Sequence, residues 1–308
     1  MGRRRRNGAP VHGWVILDKP TGMTSTTAVS AVRRLTGAAK AGHAGTLDPL
    51  ATGVLPIALG EATKTLPYVV DGRKSYRFTL RWGIATDSDD SDGAPIGEAP
   101  GRPDRAAVEA VLPRFTGLVA QRPPIYSAIK VDGRRAYDMA RQGETPELQL
   151  RTVRIDRLAL VDLDGEQATF AVDCGPGTYM RALARDIAQA AGTLGHVIAL
   201  RRLRVGPFAE ADAISLDELD AVGQSPAVLE HLRSVATALD DIPALALTEP
   251  EAGRLRNGQA VSLLRKVDLQ RIAGFSDGDT ILATYQDMPV ALTRYSAGEV
   301  KPLRVLNL

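Results

Sequence analysis

The segment that decides the fold reads Gly42-His43-Ala44-Gly45-Thr46-Leu47-Asp48-Pro49-Leu50-Ala51-Thr52-Gly53. It places one carboxylate, that of Asp48, among glycine, proline and threonine residues that form turns. Pro49 fixes the backbone beside Asp48 and lacks an N–H donor, and the apolar run over residues 54–59 predicts a buried strand. An acid on a structured loop at a strand edge is a candidate active-site group. The alternative is that Asp48 only forms the turn, as Asp commonly does.

Five further motifs accompany this segment. They read Gly13-Trp14-Val15-Ile16-Leu17-Asp18-Lys19-Pro20-Thr21-Gly22-Met23-Thr24-Ser25, Lys74-Ser75-Tyr76, Pro123-Pro124-Ile125-Tyr126-Ser127-Ala128-Ile129-Lys130, Gly177-Thr178-Tyr179-Met180-Arg181 and Leu200-Arg201-Arg202-Leu203-Arg204. In content and order, the six motifs resemble those of the TruB family of tRNA pseudouridine synthases. Any one of them would be a weak signal, whereas six in order are specific.

The resemblance implies both a fold and a reaction. The fold is α+β, with a mixed, largely antiparallel sheet of the pseudouridine-synthase type flanked by helices. The reaction is isomerisation of the uridine at position 55 in the T loop of tRNA. It detaches uracil from the ribose at N1, turns it and reattaches it through C5. Because no redox step occurs, we expect no cofactor.

Length and composition set independent bounds. A chain of 308 residues with 44% hydrophobic residues can form two domains with substantial cores. The net charge of +2 does not by itself indicate a nucleic-acid partner, because four arginines at residues 3–6 are roughly offset by an acidic segment at residues 87–92. No apolar run reaches the roughly 18 residues of a membrane span. Four scattered histidines form no metal-ligand cluster, so we expect no metal.

Cysteine content and the amino-terminal sequence bear on location. The single cysteine, Cys174, excludes an internal disulfide, which suits a reducing cytoplasm. No apolar signal segment follows the basic arm. We therefore expect a cytoplasmic monomer whose partner is the T arm of tRNA, with no membrane and no obligatory protein partner.

Hydrophobic patterns predict strands and helices in no regular βαβ order, which favours an α+β domain. Tyr76, Phe78, Leu80 and Trp82 alternate with polar residues and predict a half-buried strand. Asp104 is expected to begin a helix. Other strands are predicted over residues 12–18 and 168–174, and other helices over residues 24–35 and 178–191.

The chain divides into three predicted parts: a basic, disordered arm over residues 1–10, a catalytic domain over 11–237 and a β-rich domain over 238–308. Residues 121–151 carry prolines, glycines and many arginines, and we interpret them as an excursion from the sheet that contacts RNA. The last part resembles a PUA-type RNA-binding domain. Charge does not identify it as one, since it contains eight basic and nine acidic residues.

Three residues are the candidate catalytic groups. The resemblance implies that Asp48 is the nucleophile, although which atom it attacks is open. It implies that Tyr76 stacks on the flipped base, whereas alternation alone predicts a core tyrosine. If Thr178 caps its helix, Arg181 lies in the first turn, where a cation opposes the helix dipole and indicates an anionic partner. The resemblance implies that this partner is Asp48; an unrelated surface arginine is the alternative.

Seven further residues are candidate substrate contacts by resemblance. His43 would hold the target loop with its base extruded, which base-modifying enzymes require. Leu200 would form an apolar wall of the base pocket. Arg201 and Arg202, with Arg204, would form a strip that contacts phosphates. The others are Lys19, Lys130 and Tyr179, and packing is an equally good reading of Tyr179.

Two other functions compete with this interpretation. Asp18-Lys19-Pro20-Thr21-Gly22 superficially resembles the signature of phosphotransferases that form an aspartyl phosphate, and Asp277 and Asp279 could be taken for their Mg²⁺ ligands. The inserted Pro20 displaces the threonine of that signature. The second competitor is a catalytically silent RNA-binding or RNA-folding protein, which does not require Asp48, Tyr76 and Arg181 together.

Overall fold

The computed structural model describes residues 8–127, 129–222 and 226–308. The arginines at residues 3–6 lie outside the described residues. The Ala9 N–H donates to the Gly37 carbonyl, and the Ala39 N–H donates to the Ala9 carbonyl. Ala9 is therefore held by backbone contacts, and the disordered arm expected over residues 1–10 stays a prediction.

The chain forms strands and helices with the following bounds. The strands are β1 Gly13–Lys19, β2 Ala41–His43, β3 Thr52–Leu59, β4 Lys74–Trp82, β5 Ile84–Thr86, β6 Pro95–Glu98, β7 Gly117–Gln121, β8 Lys130–Val131, β9 Arg134–Arg135, β10 Arg151–Leu163, β11 Gln167–Cys174, β12 Gly195–Val205, β13 Phe208–Ala209, β14 Ile214–Ser215, β15 Ala244–Ala246, β16 Val261–Ser262, β17 Thr280–Tyr285, β18 Met288–Ser296 and β19 Glu299–Val305. The α-helices are α1 Ser25–Thr36, α2 Leu66–Val70, α3 Arg105–Val111, α4 Ala136–Arg141, α5 Met180–Ala190, α6 Leu216–Val222 and α7 Glu249–Arg256. Among the described residues, no helix has the length and apolar content to cross a membrane.

The large sheet has the strand order β14-β1-β3-β12-β4-β11-β10-β7, with β2 and β13 attached to β3 and β12. Neighbours are parallel at β14–β1 and β3–β12 and antiparallel elsewhere in this order. This mixed, largely antiparallel sheet confirms the predicted α+β class. A one-residue change in register would turn each buried side chain to the other face.

One face of this sheet packs against helices. Tyr76, Phe78, Leu80 and Trp82 alternate on β4 with exposed or half-buried residues, as predicted, and belong to a core that includes side chains of α1 and α5. Thr24 caps α1 through its side chain, and Gly37 closes it in the left-handed conformation. Helix α5 departs from the prediction: Tyr179, not Thr178, is its N-cap residue. Arg181 is therefore the second helical residue, still at the positive end of the helix dipole.

A second apolar cluster lies on the other face of β1 and β3 and extends to a second sheet with the strand order β15-β17-β18-β19-β16. Trp14, Ile16 and Val54 of the large sheet share a buried cluster with Leu282 and Leu292 of the second. A further apolar cluster lies within the second sheet itself. The predicted β-rich character of the last 70 or so residues is confirmed, and the domain boundary at 237/238 stays a prediction.

The excursion, residues 121–151, leaves the large sheet at the end of β7 and returns at the start of β10, where Gln121 and Arg151 are paired. It carries the hairpin β8–β9 and helix α4. The segment thus lies between two neighbouring strands of the large sheet, and its contact with RNA stays a prediction.

Candidate active site

The loop that carries Asp48 lies between β2 and β3, and its backbone is held along its length. Each carbonyl oxygen from residue 45 to residue 50 accepts a hydrogen bond. The donors are Arg202 for Gly45 and Thr46, Ser25 for Leu47, the Ala51 N–H for Asp48, Lys19 and the Gly22 N–H for Pro49, and Thr21 for Leu50. The carboxylate of Asp48 is therefore presented on a fixed backbone.

The side chain of Lys19 contacts this loop from the protein interior and does not face solvent. It is fully buried. Its ammonium donates to the carbonyls of Pro20 at 2.8 Å, Met23 at 2.6 Å and Pro49 at 3.3 Å. Burial lowers the pKa of Lys19 to about 8, an effect that the nearby Asp48 carboxylate partly offsets. Because the three donors of a lysine are used on carbonyls, Lys19 has a structural role here, and its expected substrate contact stays a prediction.

Gly53 shows why this region requires glycine. Its φ of +96° is one that side chains rarely adopt, and an added Cβ would lie 2.2 Å from the Arg202 carbonyl oxygen. This close approach occurs where β3 and β12 run in parallel, with Gly53 opposite Arg202. A larger residue here would push β12 away from the Asp48 loop.

Asp48 and Arg181 form a two-point ion pair. Arg181 Nε lies 2.9 Å from Asp48 Oδ2, and Arg181 Nη2 lies 3.0 Å from Asp48 Oδ1. The Arg181 side chain is 5% exposed and that of Asp48 is 33% exposed. The arginine is therefore sealed beneath a carboxylate that remains open to solvent, and this geometry fixes the direction in which the carboxylate faces.

The rest of the Arg181 guanidinium is held by groups that sequence reasoning missed. It donates to the carbonyls of Ser88 and Tyr126, each at 2.8 Å, and its Nε lies 3.5 Å from Asp90 Oδ2. Asp90 is only 4% exposed. The acidic segment, residues 87–92, is thus folded against Arg181. Its negative charge therefore does not simply balance the positive charge of the basic arm. No periodicity in a run of Asp and Ser residues signals this burial.

Tyr76 lies on β4 directly opposite Arg202 on β12. The tyrosine is 8% exposed, and burial raises the pKa of its hydroxyl, an effect that the neighbouring Arg202 cation opposes. Leu200 lies opposite Phe78 and is likewise buried. Tyr76 therefore packs in the core and lies next to Arg202. This position is compatible with both readings of the sequence, a core tyrosine and a platform for the flipped base.

The structure gives Arg202 a role other than the expected phosphate contact, which stays untested. Its side chain is 1% exposed and donates to three carbonyls: Val54 at 2.8 Å, Gly45 at 3.1 Å and Thr46 at 3.4 Å. It holds the Asp48 loop. The signal was available, because Leu200 and Arg202 are two residues apart on a strand and so share a face.

Arg201 is also committed to carboxylates. It binds both oxygens of Asp18, at 3.0 and 2.8 Å, and donates to Glu210 at 2.5 Å. Of the three arginines only Arg204 is exposed. The same pairing argues against the phosphotransferase alternative, since Asp18 has both carboxylate oxygens occupied.

The remaining predicted contacts lie around this centre. His43 is half-buried on β2, and burial, followed by the effect of Arg202, lowers its pKa, so the ring is neutral at pH 7. The backbone of Tyr179 is held by the Gln121 amide at 2.8 and 3.1 Å. Lys130 is exposed on the excursion, and no side chain among the described residues pairs with it. The structure thus brings together Asp48, Tyr76, Arg181, Arg202 and Lys19, with Lys130 outside that group.

Comparison with known proteins gives one consistent family. The model of the TruB family pseudouridylate synthase N-terminal domain matches residues 33–180, and that of the tRNA pseudouridylate synthase B C-terminal domain matches residues 181–241. A tRNA pseudouridine synthase B of Gluconacetobacter diazotrophicus is 60% identical over 85% of this chain and 86% of its own. One of Caulobacter vibrioides is 53% identical over 99% of each. A chain in the crystal structure of a Cbf5-Nop10-Gar1 complex superimposes with a TM-score of 0.71 at 26% identity, covering 96% of this chain and 85% of that one.

Proposed function

The chain belongs to the TruB family of tRNA pseudouridine synthases, and on this basis we propose that it isomerises the uridine at position 55 in the T loop of tRNA. As an isomerase it converts uridine to pseudouridine in tRNA without adding or removing atoms. The position within tRNA is the finer part of the proposal, supported by the six motifs and their order.

The observation that carries the proposal is the two-point pair between Asp48 and Arg181. Pseudouridine formation requires a carboxylate that can attack, or electrostatically support, a carbon of the nucleoside. A carboxylate that is one-third exposed, on a fixed backbone and oriented by a buried arginine meets this requirement. Arg181 contacts both oxygens of Asp48 and fixes its direction, while the exposed part of Asp48 remains free to meet the substrate.

The groups around Asp48 suit a flipped base. A base inside the T loop is unreachable until it leaves its stack, and a pocket must then replace the lost contacts. We assign Tyr76 to the ring platform and Leu200 to the apolar wall. His43 and Tyr179 are assigned to the rim, because both are half-buried beside the Asp48 loop. An aromatic face against uracil would contribute roughly 1–3 kcal/mol.

Binding of the rest of the tRNA is assigned to exposed parts of the chain. The excursion, with Lys130, and the second sheet offer surfaces beyond the catalytic centre. We propose a monomer that needs no obligatory protein partner. The Cbf5 chain, by contrast, was solved together with Nop10 and Gar1. A tRNA substrate also supports a cytoplasmic location.

The test is chemical mapping of pseudouridine in an unmodified tRNA transcript after incubation with pure protein. We expect one new pseudouridine, at position 55, and none in a transcript in which that uridine is replaced by cytidine. Modification at another uridine with position 55 untouched would contradict the assignment. Tight binding without any product would instead support the silent RNA-binding alternative.

A further inference from the structure

Arg185 lies one helical turn beyond Arg181 on α5, and residues four apart share a helix face. Its guanidinium contacts three parts of the chain. Nη1 donates to Asp89 Oδ2 at 2.7 Å, Nη2 to the Arg122 carbonyl at 2.8 Å, and Nε to Asp186 Oδ1 at 2.9 Å. The side chain is only 23% exposed. Arg185 is thus a built contact between α5, the acidic segment and the start of the excursion.

The acidic segment meets α5 in register. Two consecutive carboxylates, Asp89 and Asp90, pair with two arginines one turn apart, Arg185 and Arg181. Asp89 has a φ of +62°, in the left-handed region that Asp enters more readily than most residues. This conformation lets neighbouring carboxylates reach different arginines. Ser88, which directly precedes the two aspartates, is held as well, because its carbonyl accepts a hydrogen bond from Arg181.

The start of the excursion is held at the same place. Arg185 binds the Arg122 carbonyl, and Arg181 binds the Tyr126 carbonyl. Immediately before them, the Gln121 amide donates to the Tyr179 carbonyl and accepts from the Tyr179 N–H. The first turns of α5 therefore contact the Asp48 loop, the acidic segment and the excursion, and Arg181 contacts all three.

We propose that Arg185 is a positioning residue for pseudouridine formation: through Asp89 and Arg122 it holds the acidic segment and the excursion against Arg181, and so sets the angle at which Arg181 meets Asp48. The inference rests on the proposed function. Arg185 itself has no contact with Asp48, so its effect on the reaction passes through Arg181. Small displacements of a reacting group lower rates strongly, whereas they alter RNA binding by distant surfaces little.

The titration of Asp89 provides a second signature. Burial raises the pKa of Asp89 to about 6, while Arg185 and Arg181 lower it and Asp186 raises it. Below this pH the protonated carboxyl no longer offers Arg185 a full negative charge. The rate of the reaction should therefore fall in acid through Asp89, and this fall should disappear when Asp89 cannot titrate.

The experiment measures single-turnover rates with enzyme in excess over a tRNA transcript, together with the dissociation constant for the same RNA. We expect Arg185→Met and Asp89→Asn to lower the rate constant about tenfold or more, with the dissociation constant within about threefold of wild type. Arg185→Lys, which keeps one charge but not the three-point contact, should lie between. Arg102→Met is the matched control, because Arg102 also makes three contacts, with Glu166 and with the carbonyls of Ala99 and Gly101, but none with the acidic segment or Arg181, and it should leave both values unchanged.

The rates are then measured from about pH 5 to pH 8. Wild type should lose activity below about pH 6, and Asp89→Asn should have a lower but flatter profile in this range. Rates within about twofold of wild type in both variants, or a loss confined to the dissociation constant, would overturn the positioning role. If wild type itself makes no pseudouridine, the proposed function fails and this role fails with it.

Discussion

Arg181 meets Asp48 edge to edge, with Nε to Oδ2 at 2.9 Å and Nη2 to Oδ1 at 3.0 Å, while the arginine stays buried and the carboxylate reaches solvent. The partners of Arg181 matter, because a buried cation without them would be strongly destabilising. Two carbonyls and the Asp90 carboxylate complete its surroundings. The Asp48 carboxylate is thus held by an arginine that is itself closed to solvent.

Replacing Arg181 by Lys should separate charge from geometry. Lysine keeps the cation but loses the planar fork that meets both carboxylate oxygens. We expect a loss of turnover of about 100-fold, comparable to the removal of an electrostatic contact in other active sites, with tRNA binding retained. Rates are measured in single turnover, and thermal melting checks the fold. Turnover like that of wild type would show that the pair is not required.

Replacing Tyr76 by Phe removes the hydroxyl and keeps the ring. Because burial raises the pKa of this hydroxyl, it is protonated at neutral pH. We expect RNA affinity to persist, since stacking survives, and turnover to fall if the hydroxyl moves a proton. Equal turnover in both proteins would leave Tyr76 as an aromatic platform only, and the comparison of rate with affinity distinguishes these roles.

Arg202 and Arg204 lie on the same strand and should behave in opposite ways. Arg202→Met removes donors from three carbonyls, so we expect lower stability and turnover with no change in the salt dependence of RNA binding. Arg204 is exposed, so Arg204→Met should leave stability unchanged and flatten the salt slope by about one unit if it contacts a phosphate. Urea denaturation and binding at several salt concentrations measure both effects. A flattened slope for Arg202→Met would contradict its buried role.

Lys19 should make stability depend on pH in the alkaline range. Its pKa is about 8 in the folded protein against 10.5 as the ordinary value. Between these values the unfolded state binds more protons, so the free energy of unfolding rises with pH, by at most about 1.4 kcal/mol per unit. Lys74 has the same shift, so the informative quantity is wild type minus Lys19→Met. That difference should grow from pH 8 to pH 10.5, and a level or shrinking difference would contradict the burial of a charged Lys19.

Local patterns determined much of the fold. The alternation on β4 and the helix over residues 24–35 were readable, because each depends on residues close in sequence. The apolar cluster around Trp14 was not, because it depends on contacts between distant segments.

The candidate site divides in the same way. The motifs identified Asp48 and Arg181 and implied their pairing. Asp90 was missed, because an acidic run looks solvated until tertiary contacts bury it, and the burial of Lys19 likewise depends on tertiary contacts. Alternation with Leu200 could have shown which face of the strand Arg202 occupies. Its position opposite Tyr76 could not be predicted without the strand register.

The most direct test compares wild type with Asp48→Asn by mapping pseudouridine in one tRNA transcript at enzyme excess. The substitution keeps the shape of the side chain but removes its charge and most of its nucleophilic character. We predict complete conversion of uridine 55 by wild type and none by Asp48→Asn, with RNA affinity within about threefold because Asp48 contributes to chemistry rather than to phosphate contacts. Conversion of the same uridine by Asp48→Asn at the wild-type rate would contradict the assignment.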